Sequence, residues 1–215
     1  MVARGFSSQR GSARTGCMIA AGAVLLILLI AGGTLIGRYN TLVALQEKTS
    51  AAWSEIDNQY KRRFDLVPQL VNTVKGAADF EKSTLSAVTE ARASVGRVQI
   101  PGGLPTNPAQ LQAYMQAQQG LGAALGRLFA VSERYPELKA TQNFLSLQDQ
   151  LEGTENRIAV ARRDYIDAVR LYNTQRRRFP TSLVAAMFGF EALPQLQSKP
   201  EERETPNVEF DFGDD

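Results

Sequence analysis

The chain of 215 residues contains no histidine and a single cysteine, Cys17. The lack of histidine removes the commonest general base at neutral pH, and without histidine a single cysteine leaves too few of the usual zinc ligands. Most familiar catalytic arrangements are therefore excluded, and no internal disulfide can form. Accordingly, we predict no catalytic residues, no cofactor-binding residues, no metal-binding residues and no cofactor.

Net charge is also small, at +2, but it is unevenly distributed. Seven acidic and two basic residues leave residues 199–215 with a net charge of −5, so residues 1–198 carry +7. Two basic triplets, at 61–63 and 176–178, raise the question of nucleic acid, but no aromatic residues are interleaved with them and the chain has an acidic tail. The sequence therefore predicts no nucleic-acid partner and an acidic tail over residues 199–215.

One long apolar run stands out. Between Arg14 and Arg38 lie 23 uncharged residues, TGCMIAAGAVLLILLIAGGTLIG, which as a helix would span a hydrocarbon core of about 30 Å. A cleaved signal peptide is the alternative, but its apolar region is usually only about 7–15 residues long. We therefore predict a transmembrane helix over residues 17–37, in contact with the lipid bilayer, after a short basic arm over residues 1–16. Cys17 precedes the run, whereas a lipidated cysteine would follow it.

Basic residues are slightly more numerous before the apolar run than directly after it. The positive-inside rule then places the N-terminus in the cytoplasm and the remaining residues outside it. Gly33 and Gly37 form a GxxxG pair, which could let two spans pack closely. We expect a single-pass protein whose folded domain is extracytoplasmic.

Helical periodicity begins directly after the run. Ten mostly apolar positions from Leu42 to Val74 recur every 3.6 residues or so, which is typical of an amphipathic helix. No turn signal separates this pattern from the apolar run. One helix is therefore predicted from about residue 17 to residue 75, with Gly76 as its C-cap.

A proline lies inside that pattern. Pro68 leaves the carbonyl of Phe64 without its helical donor, and is predicted to bend the helix at a cost of roughly 3 kcal/mol unless packing compensates. Just before it lie three cations. Arg62 or Arg63 is expected to meet acids of the last long helix, while Lys61 faces water.

Three further helices are predicted, over about 80–97, 107–134 and 137–178. Asn107, followed by a proline, is typical of an N-cap before the first helical residue. No alternating strand pattern with matching turns is found. The predicted fold class is all-α, with an N-terminal transmembrane helix continuing into an antiparallel four-helix bundle over residues 38–180.

Residues 181–198 follow the bundle and are small and strongly apolar. If successive helices alternate in direction, the fourth returns toward the membrane, where the basic triplet 176–178 would meet headgroups and side chains such as Phe179 and Phe188 could enter the interface. The alternative, which we favour, is that the segment folds back over the end of the bundle as part of its core.

The stretch GLGAALG, residues 120–126, resembles part of a glycine-rich phosphate loop. It follows no strand and lies within a helical pattern, which argues against dinucleotide binding. Glycine is costly inside a helix, by nearly 1 kcal/mol each. Gly122 and Gly126 are therefore interpreted as admitting a close neighbour, such as Trp53 or another side chain of the bundle.

Asp149, Glu152 and Glu155 form a row of carboxylates at three-residue spacing. Such a row could hold a hard cation or carry out acid–base catalysis. Without histidine or a second set of ligands, we favour polar pairing inside the bundle, since buried cations need such partners. The candidate partners are Arg62, Arg63, Arg162 and Arg163.

Four segments carry a family resemblance: YNTLVALQEKTSAAWSEIDNQYKRRFDLVPQLVNTVKG, NFLSLQDQLEGTENRIAVARRDYIDAVRLYNT, FPTSLVAAMFGF and PNVEFDF. In this order they resemble the LemA family of bacterial membrane proteins over about residues 20–212. The resemblance implies one N-terminal span, a four-helix bundle and location in the bacterial cell (inner) membrane. It implies no established enzyme activity and no catalytic residues. The chain departs from the family pattern in its longer basic leader and its proline-rich loop at 99–108.

The function expected from these features is that of a non-enzymatic, membrane-anchored helical scaffold, which binds a protein partner or a second copy of itself. The alternative is an extracytoplasmic ligand-sensing or regulatory bundle that acts through a partner protein. A hydrolase using the carboxylate row is the third hypothesis.

Overall fold

The structure is a computed structural model that describes residues 10–77, 80–98, 100 and 103–196. Its helices are α1 (Arg10–Lys75), α2 (Lys82–Arg97), α3 (Pro108–Ser132), α4 (Pro136–Lys139), α5 (Gln142–Arg177) and α6 (Thr181–Met187). No residue in these ranges lies in a strand, so the all-helical fold class is confirmed. Residues 1–9 of the basic arm and the acidic tail 199–215 lie outside the described residues.

The chain divides into two compact units. The span unit, as we name it, combines residues 10–47 with Tyr172–Glu191. The bundle unit combines Lys48–Leu171 with residues 192–196. Helices α1 and α5 each contribute residues to both units.

Helix α1 begins at Arg10, earlier than the predicted residue 17, and continues through Pro68 to Lys75. Over the described part of the chain it is the one helix long and apolar enough to cross a membrane, and no residue of its apolar window is buried. At its other end the backbone N–H of Gly76 bonds to the carbonyl of Thr73. This apolar segment agrees with the predicted membrane anchor.

In the bundle unit the helices alternate in direction. Contacts between α1 and α3 advance along both helices together, those between α1 and α5 run in opposite directions, and the start of α2 lies beside the end of α3. The contacts that fix these directions are Asp57–Tyr114, Arg63–Gln118, Trp53–Tyr165, Arg63–Glu155 and Glu81–Arg134. The up-and-down order of a four-helix bundle follows.

The core of the bundle unit has an aliphatic part and an aromatic part. The aliphatic part includes Val67, Leu70, Val74, Val88, Leu121, Leu125 and Leu128, all buried. In the aromatic part, the ring of Trp53 lies 5.7 Å from that of Tyr114 and 5.4 Å from that of Tyr165, between centroids. Three helices therefore meet at the only tryptophan of the chain.

The predicted fourth helix is wrong in one respect, because the structure divides it into α4 and α5. The hydroxyl of Thr141 donates to the carbonyl of Leu138 at 2.8 Å, and Ala140 is the C-cap of α4. A threonine hydroxyl that bonds to nearby backbone competes with continued helix. The chain therefore closes one short turn at Lys139 before α5 begins at Gln142.

Pro68 lies within α1, as predicted, and the carbonyl that it leaves free has a replacement donor. Nε of Arg92, on α2, donates to the carbonyl oxygen of Phe64 at 3.1 Å. The same guanidinium lies 3.7 Å from the centroid of the Phe64 ring, a cation–π distance. Packing against α2 thus offsets part of the cost of the proline, while the bend in α1 stays a prediction.

Residues 181–196 are shared between the two units. Helix α6 belongs to the span unit, and it buries Thr181, Val184 and Ala185. Leu193 and Leu196 are buried in the bundle unit, where the hydroxyl of Tyr165 donates to the carbonyl of Pro194 at 3.3 Å.

Candidate functional site

Arg63 is a buried arginine, only 3% exposed, at the centre of the bundle unit's polar interior. Its Nη1 donates to Oε2 of Glu155 at 2.8 Å. Its Nη2 donates to both the carbonyl oxygen and Oε1 of Gln118, at 2.8 and 2.7 Å. The guanidinium carbon lies 5.0 Å from the centroid of the Tyr60 ring. We call Tyr60, Arg63, Gln118 and Glu155 the Arg63 cluster; it joins α1, α3 and α5.

The position of Arg63 follows from the helical stripe of α1. Arg63 comes three residues after buried Tyr60 and four before buried Val67, so it shares their face, whereas Lys61 and Arg62 are exposed. A guanidinium suits this position because its rigid fork of donors can satisfy several acceptors at once. The prediction that Arg62 or Arg63 meets an acid of the last long helix is confirmed for Arg63 and Glu155.

Tyr60 of the cluster and Tyr114 beside it are neutral hydrogen-bonding groups. The hydroxyl of Tyr114 donates to Oδ1 of Asp57 at 2.8 Å. Burial raises the pKa of Tyr114, and the charge of Asp57 raises it further. Burial likewise raises the pKa of Tyr60, against the lowering effect of nearby arginines. Both hydroxyls therefore keep their protons at neutral pH.

A cavity of about 390 Å³ opens beside the cluster, among α1, α3 and α5. We call it the interhelical cavity. Its polar lining consists of Tyr60, Arg63, Gln118, Gln119, Glu152, Glu155 and Arg162, and its other lining residues are Gly122, Ala123, Leu125, Gly126, Phe129 and Leu151. The polar lining carries both positive and negative side chains.

Two of the three glycines of α3, Gly122 and Gly126, line this cavity and do so in different ways. A Cβ at Gly122 would lie 3.5 Å from Nη1 of Arg63, so the close neighbour expected there is Arg63. A Cβ at Gly126 would have nothing within 4 Å. The expectation of a close neighbour is therefore wrong for Gly126, whose missing side chain leaves open space instead.

The structure gives the three carboxylates of the predicted row separate surroundings. Glu155 bonds to Arg63, and Glu152 accepts a hydrogen bond from the side chain of Gln148 at 2.9 Å. Asp149 is exposed and does not line the interhelical cavity. Among the residues that the structure describes, no group of histidine, cysteine, aspartate or glutamate side chains could hold a metal ion.

A second depression, of about 710 Å³, lies where α1 ends and α4 begins. We call it the end groove. It is lined by Thr73, Gly76, Ala77, Arg134, Tyr135, Pro136, Glu137, Leu138, Thr141 and Asn143. The sequence predicted only that one helix ends near residue 134 and the next begins near residue 137, because the approach of the end of α1 is a tertiary contact without a local signal.

The sequence of this chain is similar to one protein family and to several known proteins. Residues 52–210 match the LemA family. Magnetosome protein MamQ 2 of Paramagnetospirillum magneticum is 30% identical over 183 residues, which cover 78% of this chain and 67% of that protein. Magnetosome protein MamQ of Magnetospirillum gryphiswaldense is 27% identical, with the same coverage. Protein LemA of Metamycoplasma hominis is 27% identical over 168 residues, 78% of this chain and 73% of that protein. The chain therefore belongs to the LemA family.

Proposed function

We propose that this chain is a non-enzymatic helical scaffold that holds a partner protein at the bacterial inner membrane. It is a membrane-associated protein of the LemA type, and one helix carries both its apolar run and the first helix of its bundle. The observation that carries the proposal is the end groove. Apolar Leu138 and Tyr135 lie there beside the charged Arg134 and Glu137, the mixture of an apolar centre and a polar rim that protein interfaces use.

The contacts of the buried polar groups support a role without catalysis. Arg63 is engaged by Gln118 and Glu155, and the hydroxyl of Tyr114 by Asp57. A side chain that acts as a catalytic acid or base must reach a substrate proton. These groups instead hold the helices to one another.

The location that we propose follows from the anchor and from the charges around it. Basic residues precede the apolar run of α1, which favours a cytoplasmic N-terminus. The bundle unit then lies outside the cytoplasm. Two of the similar proteins bear the name of the magnetosome; for this chain the proposal concerns the inner membrane alone.

Photo-crosslinking from the end groove tests the scaffold proposal. A photoreactive amino acid replaces Asn143, an exposed residue of α5 that lines the groove. We expect illumination of cells to give a discrete crosslinked band, because a partner seated in the groove would lie within reach of that side chain. The band's mass, read by immunoblotting and mass spectrometry, separates a second copy of this chain from another protein.

Asn156 is the matched control, since it is also an exposed asparagine of α5 and does not line the groove. A band that appears equally from both positions, or from neither, would count against the end groove as the partner site.

The interhelical cavity favours a second candidate function, the sensing of a small ligand. Its polar lining places Arg63 and Arg162 beside Glu152 and Glu155. Opposite charges in one cavity suit a small zwitterion such as an amino acid, whose carboxylate and ammonium groups would each find a counter-charge. Its volume of about 390 Å³ falls at the small end of the range for ligand sites.

The substitution Gly126→Leu tests the sensing hypothesis, because it should prevent ligand binding without lowering the stability of the chain. The substitution should raise the melting temperature of the full chain, because leucine is the better helix former by nearly 1 kcal/mol and no atom lies within 4 Å of the new Cβ. It should also fill the cavity. We therefore expect the wild-type chain, screened against the common amino acids by thermal shift, to gain stability with at least one of them and Gly126→Leu to lose that response.

Gly120→Leu is the control, since Gly120 is exposed, lies on the same helix and does not line the cavity. It should keep the ligand response of the wild type. If no amino acid stabilises the wild type, or if Gly126→Leu responds unchanged, the sensing hypothesis fails.

A further inference from the structure

Helix α6 and the residues beside it present large exposed apolar side chains. Phe179, Leu183, Met187 and Phe188 are 80%, 53%, 69% and 58% exposed. Leu183 and Met187 are four residues apart within α6 and so share one direction, while Phe179 and Phe188 lie just before and just after the helix. Because the opposite side of α6 is already buried through Val184 and Ala185, this outward apolar side is an additional surface.

Ring contacts place this surface beside the end of the apolar run. The ring of Tyr39 lies 4.9 Å from that of Phe188 and 5.6 Å from that of Phe190, between centroids. Tyr39 follows Gly37, the last residue of the run, by only about 3 Å along a helix. The apolar side chains of α6 are therefore at the level where α1 leaves the predicted membrane.

Backbone contacts fix the chain on both sides of α6. Nε of Arg176 donates to the carbonyl of Phe190 at 2.6 Å, and the hydroxyl of Tyr172 donates to the carbonyl of Glu191 at 2.8 Å. Gly189 has φ +71°, and the N–H of Phe190 bonds to the carbonyl of Ala185, the arrangement in which a glycine ends a helix. Phe190 is thereby held against Tyr39.

The charges of residues 172–190 suit a position at a membrane interface. Residues 172–190 contain three arginines and no acid, and Arg177 and Arg178 are exposed. Basic residues next to a membrane span are attracted to anionic headgroups, and an apolar helix face beside them can enter the boundary between headgroups and acyl chains.

We propose that α6 is a second membrane-contacting element, which lies in the bilayer interface beside the span and inserts Phe179, Leu183, Met187 and Phe188 among the lipids. The bilayer that surrounds the apolar run of α1 reaches this face because both belong to the span unit. The chain would then touch lipid at two places, residues 17–37 and α6 with its flanking aromatic residues.

Lipid contact is measured with a fluorescent label on a single cysteine in the full chain. Cys17→Ser removes the native thiol, and Met187→Cys or Leu183→Cys carries the label on the exposed face of α6. Val160→Cys is the control, since Val160 is an apolar residue of α5 that is 54% exposed in the bundle unit. The protein is reconstituted in phosphatidylcholine vesicles containing some phosphatidylglycerol.

With a doxyl quencher placed about 5–10 Å below the headgroups, we expect quenching at positions 187 and 183 to be about threefold stronger than at 160, with protection from aqueous iodide. Iodide quenching at 187 and 183 equal to that at 160 would overturn the proposal. Protection from iodide without doxyl quenching would overturn it too, in favour of a protein covering this face. Two label positions are used so that the test can still be made if one of the two variants fails to fold.

Discussion

Replacement of Arg63 by methionine is expected to lower the free energy of unfolding by about 3 kcal/mol. Methionine keeps much of the side-chain volume but donates no hydrogen bond, so the buried side chain of Gln118 loses its donor and Glu155 loses its cation. Urea unfolding of the full chain in detergent, followed by tryptophan fluorescence, measures this change. Trp53 is the sole tryptophan of the chain and is 2% exposed, so its signal reports the bundle unit.

Glu155→Gln should cost much less, roughly 1 kcal/mol. The side chain of Glu155 is 62% exposed while that of Arg63 is 4% exposed, so water can replace the carboxylate at its open side. The double variant should be no less stable than Arg63→Met alone. Equal losses from the two single variants would mean that the ion pair, and not the bonds to Gln118, supplies the stability.

The second large effect concerns the carbonyl that Pro68 leaves free. Arg92→Met should lower the free energy of unfolding by about 2 kcal/mol, because the carbonyl of Phe64 loses its donor and the Phe64 ring loses its cation. In a Pro68→Ala background the loss should fall by half or more, since the backbone N–H of residue 68 then reaches the same carbonyl. The same fluorescence-detected unfolding measures the wild type, the two single variants and the double variant.

Arg97 lies on α2, as Arg92 does, so Arg97→Met is the control for removing a positive charge. Arg97 is exposed and its Nη2 donates to the hydroxyl of nearby Ser94, so its replacement should change stability by less than about 0.5 kcal/mol. If Arg92→Met costs the same with proline and with alanine at position 68, Arg92 does not act as the substitute donor.

Local sequence signals predicted most of the fold. The apolar stripe of α1 continues through Pro68 because its spacing does not change there, and Asn107 caps α3 by accepting from the N–H of Ala109 at 2.9 Å. The break between α4 and α5 was missed. It depends on whether the hydroxyl of Thr141 bonds to backbone or faces water, and the spacing of apolar residues does not report this choice.

For the candidate site, the sequence predicted the kind of contact better than the partners. An inward arginine on α1 and a row of acids on the last long helix indicated an ion pair, yet Gln118 and Arg92 gave no signal, since each acts on a residue of another helix. The cavity at Gly126 was mistaken for a close approach, because a glycine in a helix is compatible with either. Only the arrangement of three helices shows whether such a glycine borders an open cavity or admits a close neighbour.

The contact between Tyr39 and Phe188 also has a consequence for biosynthesis. The two residues lie roughly 150 positions apart along the chain, and contacts between distant residues form late because a long loop must first close. During synthesis α1 emerges first, but the aromatic residues that cover Tyr39 emerge only after all the helices of the bundle. The span unit, which contains the first part of α1, is therefore completed only after the helices of the bundle have been made.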